Sequence, residues 1–136
     1  MERDPQVIEG WRAAAGAKAP GVEVELAGPF QRHYTRFGTG LPPNFALVLT
    51  ADEVVAFKFD PREAYHPLHV SAGQFKKEVA RWPRAAVRVR DVDAGRLAFG
   101  LTLEAGGAEI PCRTPKMGGN PAAVAVIEAL GGSVPA

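Results

Sequence analysis

Residues 97–113 read Leu97-Ala98-Phe99-Gly100-Leu101-Thr102-Leu103-Glu104-Ala105-Gly106-Gly107-Ala108-Glu109-Ile110-Pro111-Cys112-Arg113. Leu97, Phe99, Leu101 and Leu103 recur at every second position, Gly106-Gly107 turns the chain, and Ile110 and Cys112 resume the apolar side. A period of two sends successive side chains to opposite faces of an extended chain, so both arms read as strands with one face in a core. Pro111 takes a backbone donor from the second arm, whose outward edge is therefore expected to be unpaired.

The same pattern extends toward the N-terminus. Val87 and Val89 point inward while Arg88 and Arg90 point outward, and Asp93-Ala94-Gly95 turns the chain into Leu97. Before them come a strand over residues 74–82, stopped by Pro83, and a short one over residues 65–70 that Pro67 assigns to an edge. Trp82 reads as a strand-end aromatic closing the β unit. Val55, Phe57 and Phe59 line another strand ending at Asp60-Pro61. Phe45, Leu47 and Leu49 alternate with Ala46, Val48 and Thr50, which makes both faces apolar and the strand central. Seven strands are thus expected between residues 45 and 113.

Toward the C-terminus a helix follows. Asn120 suits the N-cap, Pro121 the first helical position, and Gly131-Gly132 the end. Ala123, Val124, Val126, Ile127 and Leu130 share a broad face, with Ala122, Ala125 and Ala129 opposite. So apolar a helix needs cover on both sides: the β unit on the large face, and on the alanine face the helix expected over residues 5–17. That N-terminal helix carries Val7, Ile8, Trp11, Ala14 and Ala15 on one stripe and ends at Gly16 and Pro20-Gly21. Val22, Val24 and Leu26 read as a strand broken by Gly28-Pro29, and residues 30–43 as an arm. The fold expected is mainly β with α: a closed seven-stranded antiparallel barrel or sandwich over residues 44–136 with a C-terminal capping helix. Residues 1–43 pack against it.

Composition agrees. A chain of 136 residues is one domain by length, with 46% hydrophobic and 23% charged residues, the balance of a globular protein. A net charge of +1 supplies no global pull toward nucleic acid or anionic membrane. The single cysteine forbids an intramolecular disulfide. No apolar run follows Met1-Glu2-Arg3-Asp4-Pro5, and none reaches the ~18–20 residues of a membrane span, so a soluble cytoplasmic protein without a signal peptide is expected.

At the residue level, Leu47-Val48-Leu49-Thr50 followed by Glu53-Val54-Val55-Ala56-Phe57 resembles the opening hairpin of bacterial pleckstrin-homology-like domains. Glu78-Val79-Ala80-Arg81-Trp82-Pro83-Arg84 resembles their middle strand, and Gly119-Asn120-Pro121 their entry into the capping helix. The similarity covers residues 44–132. It implies two orthogonal sheets closed at one end by a helix, and functions ranging over lipid headgroup binding, peptide or protein docking, and oligomer assembly. Fold alone does not choose among these. Phosphoinositide-binding members are similar to one another in a basic loop between their first two strands. Thr50-Ala51-Asp52-Glu53, taken as that loop here, is acidic, so specific phosphoinositide binding is not expected.

Lys76, Lys77, Arg81, Arg84, Arg88 and Arg90 form the candidate binding face. Arg88 and Arg90 share one strand face, Lys77 and Arg81 another, and coincident faces would make a cationic patch. The competing reading is a solvated sheet face balanced by Glu78 and Asp91. His66 and His69 stand three apart, which sends their rings to opposite faces of a strand and away from a shared metal. Cys112 lies in an apolar alternation and reads as an inert core thiol. Lys116-Met117-Gly118-Gly119-Asn120 lacks phosphate-loop spacing and reads as a plain helix start. The expectation is a non-enzymatic interaction module presenting a sheet edge or a basic face to a protein partner. A small-ligand or anionic-lipid binding domain is the alternative, disfavoured by a filled interior. No catalytic residue, cofactor, metal or nucleic-acid partner is expected, and self-association is left open.

Overall fold

The computed structural model describes residues 4–33, 40–63, 70–116 and 120–135. Helix α1 (Pro5–Lys18) begins where the Asp4 carboxylate accepts the Gln6 N–H at 2.9 Å and Pro5 fills a position needing no donor. Seven antiparallel strands follow: β1 (Leu26–Arg32), β2 (Asn44–Leu49), β3 (Glu53–Phe59), β4 (Phe75–Pro83), β5 (Val87–Ala94), β6 (Ala98–Ala105) and β7 (Ala108–Pro115). Helix α2 (Asn120–Ala129) closes the order. Its cap, a matter of the Asn120 side chain, and the preceding residues 117–119 lie outside the described residues.

The strands form one sheet in the order β4-β3-β2-β1-β7-β6-β5. Mainly β with two helices is thus the architecture, but the expectation of a closed barrel is corrected. No ladder joins β4 to β5 among the described residues, so the sheet is open, with those two strands as its edges. Trp82 on β4 reaches the turn between β6 and β7, where a side chain on Gly106 would stand 3.1 Å from its ring. A side-chain contact stands where a ladder was expected. Nor is β7 an edge: it pairs with β6 along its length and with β1 at Gln31↔Arg113 and Arg32↔Cys112. The Pro111 carbonyl accepts the His33 N–H at 3.0 Å, so the side expected to be open faces β1.

The membership of the seven also differs from the sequence reading. The strand expected over residues 65–70 falls mostly on residues 64–69, outside the described set. Its place in the count is taken by β1, which runs straight through Gly28-Pro29, and residues 22–25 are not strand. The Pro29 carbonyl accepts Thr114 Oγ1 at 2.8 Å from the β7 side. In an extended chain a residue's N–H and C=O project to the same edge, so the donor Pro29 lacks faces β7 and the ladder to β2 loses nothing. Gly28 is needed for another reason: a Cβ there would lie 2.8 Å from Ala123 Cα, so α2 crosses this strand at backbone contact. A division of the chain at residue 44 therefore falls between two paired strands. With β1 in the sheet, Thr50–Glu53 joins the second and third strands. Its acidity says nothing of the connection between the first two, residues 33–43, of which 34–39 are not described.

Two cores result. Phe45, Leu47 and Leu49 of β2 point to an inner core with Val54, Leu101, Leu103, Ile110, Ile127 of α2 and Leu130 just past its end. Ala46 and Val48 point the other way, with Val55, Phe57 and Phe59, into an outer core covered by Val7, Trp11, Ala14 and Ala15 of α1. This is why β2 and β3 are apolar on both faces. Ala122 belongs to the outer core and its neighbour Ala123 to the inner one, so α2 sits at their junction. Of the alanine face, Ala122 is covered as expected, whereas Ala125 is half-buried and Ala129 exposed. Gly131, at φ +92°, ends α2, with the Gly132 N–H donating to the Ile127 carbonyl at 2.9 Å. The Leu130 carbonyl then accepts the Val89 N–H at 2.9 Å, tying the helix end to β5. Leu97, expected on the inner face of β6, lies ahead of the strand in its turn and is 78% exposed.

Candidate functional site

The six basic residues do not form one face. β4 pairs with β3 and β5 with β6, so the two strands expected to juxtapose their arginines share no ladder. Along β4 itself, Lys76 and Lys77 stand on the order of 20 Å from Pro83 at ~3.3 Å per residue.

Most of these cations are already matched. Arg81 donates to Glu53 at 2.7 Å and to Glu78 at 2.6 Å. The hydrogen bonds from Arg81 hold the Glu78 carboxyl below the ordinary carboxylate range, and Glu78 in turn pushes the guanidinium up. Arg84 is held by Glu25 and donates to the Thr50 carbonyl at 2.8 Å. It pins the turn between β2 and β3 rather than facing outward. Arg90 contacts Glu104, Asp91 and Glu109, the last at 2.6 Å. Glu104 and Glu109 are direct cross-strand partners, a repulsive pair, and Arg90 lies against both. The hydrogen bond that Arg90 donates to Glu104 is the main cause of its raised pKa. Arg88 is exposed, with no ion pair among the described residues.

Lys76 and Lys77 belong to a different cluster. The start of β4 and the end of β3 meet at Phe59↔Phe75, after a register shift, which brings Lys76 and Lys77 beside Lys58 and the turn at residues 61–63. Lys58, Arg62, Lys76 and Lys77 line a groove of about 730 Å³. Its apolar wall is Pro42, Pro43 and Pro61, and Asp60 is its carboxylate. Arg62 donates to Asp60 from its backbone at 2.9 Å and from its side chain at 3.2 Å. These bonds, with a smaller contribution from Lys76, lower the Asp60 pKa. No ion pair reaches Lys58 or Lys77 among the described residues.

The groove is held by buried polar contacts. Gln74, 2% exposed, accepts the Ser71 N–H at 2.9 Å and donates to the Asp60 carbonyl at 3.2 Å. The Asp60 N–H donates to the Gln74 carbonyl at 2.9 Å, so the segment entering β4 is clamped to the end of β3. On the opposite wall Arg32 Nε donates to the Leu41 carbonyl at 2.8 Å, fixing the approach to Pro42. Beneath, the Phe59 ring lies 5.0 Å from Trp11 and 5.3 Å from Phe75 and is buried.

Sequence reasoning found Lys76 and Lys77 but missed Lys58 and Arg62. The signal available was Lys58 itself, the one charge in the apolar run from Val54 to Phe59. Cys112 is buried as expected, and burial pushes its thiol up to about 12. Among the described residues no group of His, Cys, Asp and Glu could hold a metal, while His66 and His69 are not described. No described helix is long and apolar enough to cross a membrane. Comparison of the chain with protein-family models, with curated proteins and with solved structures returns no match.

Proposed function

We propose that this chain is a non-enzymatic docking module that engages a protein partner through the basic groove between the ends of β3 and β4. The observation carrying this reading is the contrast in charge matching. Elsewhere, Arg81 on β4, Arg84 in the turn after it and Arg90 on β5 are tied to carboxylates. At the groove, Lys58 and Lys77 have no ion pair among the described residues. The resemblance to pleckstrin-homology-like domains is part of the proposal. It is supported by seven antiparallel strands followed by a helix seated against them.

A groove fits better than a sheet edge. β4 is broken from regular pairing at two places, bears Lys76, Lys77, Glu78 and Arg81, and ends at Pro83, all features that discourage strand addition. At the β5 edge the Val89 donor is already taken by Leu130, and the register shifts between Arg90 and Asp93. Among the described residues the inner core is packed with the Phe30, Phe45, Leu47 and Leu103 side chains, which disfavours a small ligand there.

The test is quantitative capture from extract on immobilised chain, comparing wild type, the Lys58→Glu/Lys77→Glu variant and an Arg88→Glu control. A partner held by wild type and control but lost from the double variant is expected. Equal capture by all three, or capture by none, refutes the reading.

A further inference from the structure

The groove's chemistry narrows the occupant, on the assumption that the docking reading above holds. We propose that it receives a short extended segment of the partner in which alternate residues are Asp or Glu. Lys58 projects from β3 and Lys77 from the neighbouring β4, both exposed and without an ion pair among the described residues. Adjacent strands stand about 4.8 Å apart, and alternate residues of an extended peptide about 6.6 Å, so the two ammonium groups, on flexible stems, can each meet a separate carboxylate. Pro42, Pro43 and Pro61 offer rigid apolar surface to the intervening side chains.

The same features disfavour other anions. Three prolines contribute no N–H, so the wall is poor in the main-chain donors that cradle a phosphate. The Arg62 fork, which could bind phosphate in bidentate fashion, is engaged with Asp60. Single-stranded nucleic acid needs exposed rings for stacking, and Phe59, the aromatic side chain lining the groove, is buried. A bilayer presents a flat surface, whereas these cations line a recess, and the strands beside it bear matched charges.

The probes are fluorescein-labelled (Asp-Leu)3, its (Asn-Leu)3 counterpart, an oligothymidylate, and vesicles containing phosphatidylserine, each titrated against the full chain at low salt. Expected are saturable anisotropy with the acidic peptide alone, at least a tenfold loss with Lys58→Glu/Lys77→Glu, and no loss with Arg88→Glu. Lys58 and Lys77 are both exposed. A Lys58→Gln/Lys77→Gln variant, checked for an unchanged melting profile, separates charge loss from unfolding and is expected to weaken binding less than reversal. Acidic-peptide binding unaffected by reversal overturns the inference, as does reversal-sensitive binding of the oligonucleotide or vesicles. If capture from extract depends on the groove while the acidic peptide fails to bind, the occupant is wrong and the docking reading stands.

Discussion

Cys112 shows what burial does to one group. Its Sγ lies 3.4 Å from the Ile110 carbonyl, in a position with no exposed surface, and desolvation of the thiolate raises the pKa from 9.0 to about 12. The sign follows from linkage. Below pH 9 the thiol is protonated folded and unfolded, and its contribution is complete. Between pH 9 and 12 the unfolded chain ionises first, so stability falls as pH rises, by up to about 1.4 kcal/mol per pH unit. Cys112→Val lacks this loss, while lysine and tyrosine titrations remain in both chains. Urea midpoints at pH 8.5, 10 and 11 are expected to diverge, wild type falling faster; parallel curves would show that the thiol ionises in the native state. That Cys112 is inert core was legible from its place in an alternation. The importance of Lys58 was not, because the sequence does not give the register that sets it beside Lys76.

Among elements, β1 is where local reading fails. Gly-Pro is a sound turn signal when both strand edges must be paired, but β1 pairs with β7 only at its last two residues. Thr114 meets the Pro29 carbonyl, and α2 crosses at Gly28, so residues that look like breakers are what lets the helix sit down. Gly28→Ala forces helix and strand backbones apart and is expected to destabilise by about 1–3 kcal/mol. Gly10→Ala, within α1 and with nothing within 4 Å of the new methyl, is expected to stabilise by about 0.5–1 kcal/mol. Chemical unfolding of the two variants checks both signs; a neutral Gly28→Ala would mean that α2 is not seated as described. The helices themselves were legible, since Pro5, Pro121 and Gly131 act through the first and last turns alone.

In the whole molecule, one sheet carries a core on each face, and each core has its own tryptophan. Trp11 is buried in the outer core, and Trp82 packs against the inner one. The buried residues of β2 and β3 contribute to both, and α2 links them through Ala122 and Ala123. Neither core survives loss of the shared strands, so unfolding is expected to be one cooperative transition. Trp11→Phe and Trp82→Phe leave one reporter each. Within each variant, fluorescence and far-ultraviolet circular dichroism should give coincident urea midpoints. A fluorescence midpoint that precedes the dichroism one in the Trp82→Phe protein would instead show α1 leaving first, with the outer core as a separable layer.

The amino-acid order by itself determined the antiparallel β character, the two helices, the apolar doubling of β2 and the seating of the thiol. Each rests on periodicity or end signals spanning a few neighbouring residues. Tertiary structure alone decided that β1 enters the sheet, that β4 and β5 stay apart, and that Lys58, Arg62, Lys76 and Lys77 gather at one groove. The physical reason is common to all three. Pairing register and the matching of charges depend on residues distant in sequence, whose separation is set only when the strands have found their partners.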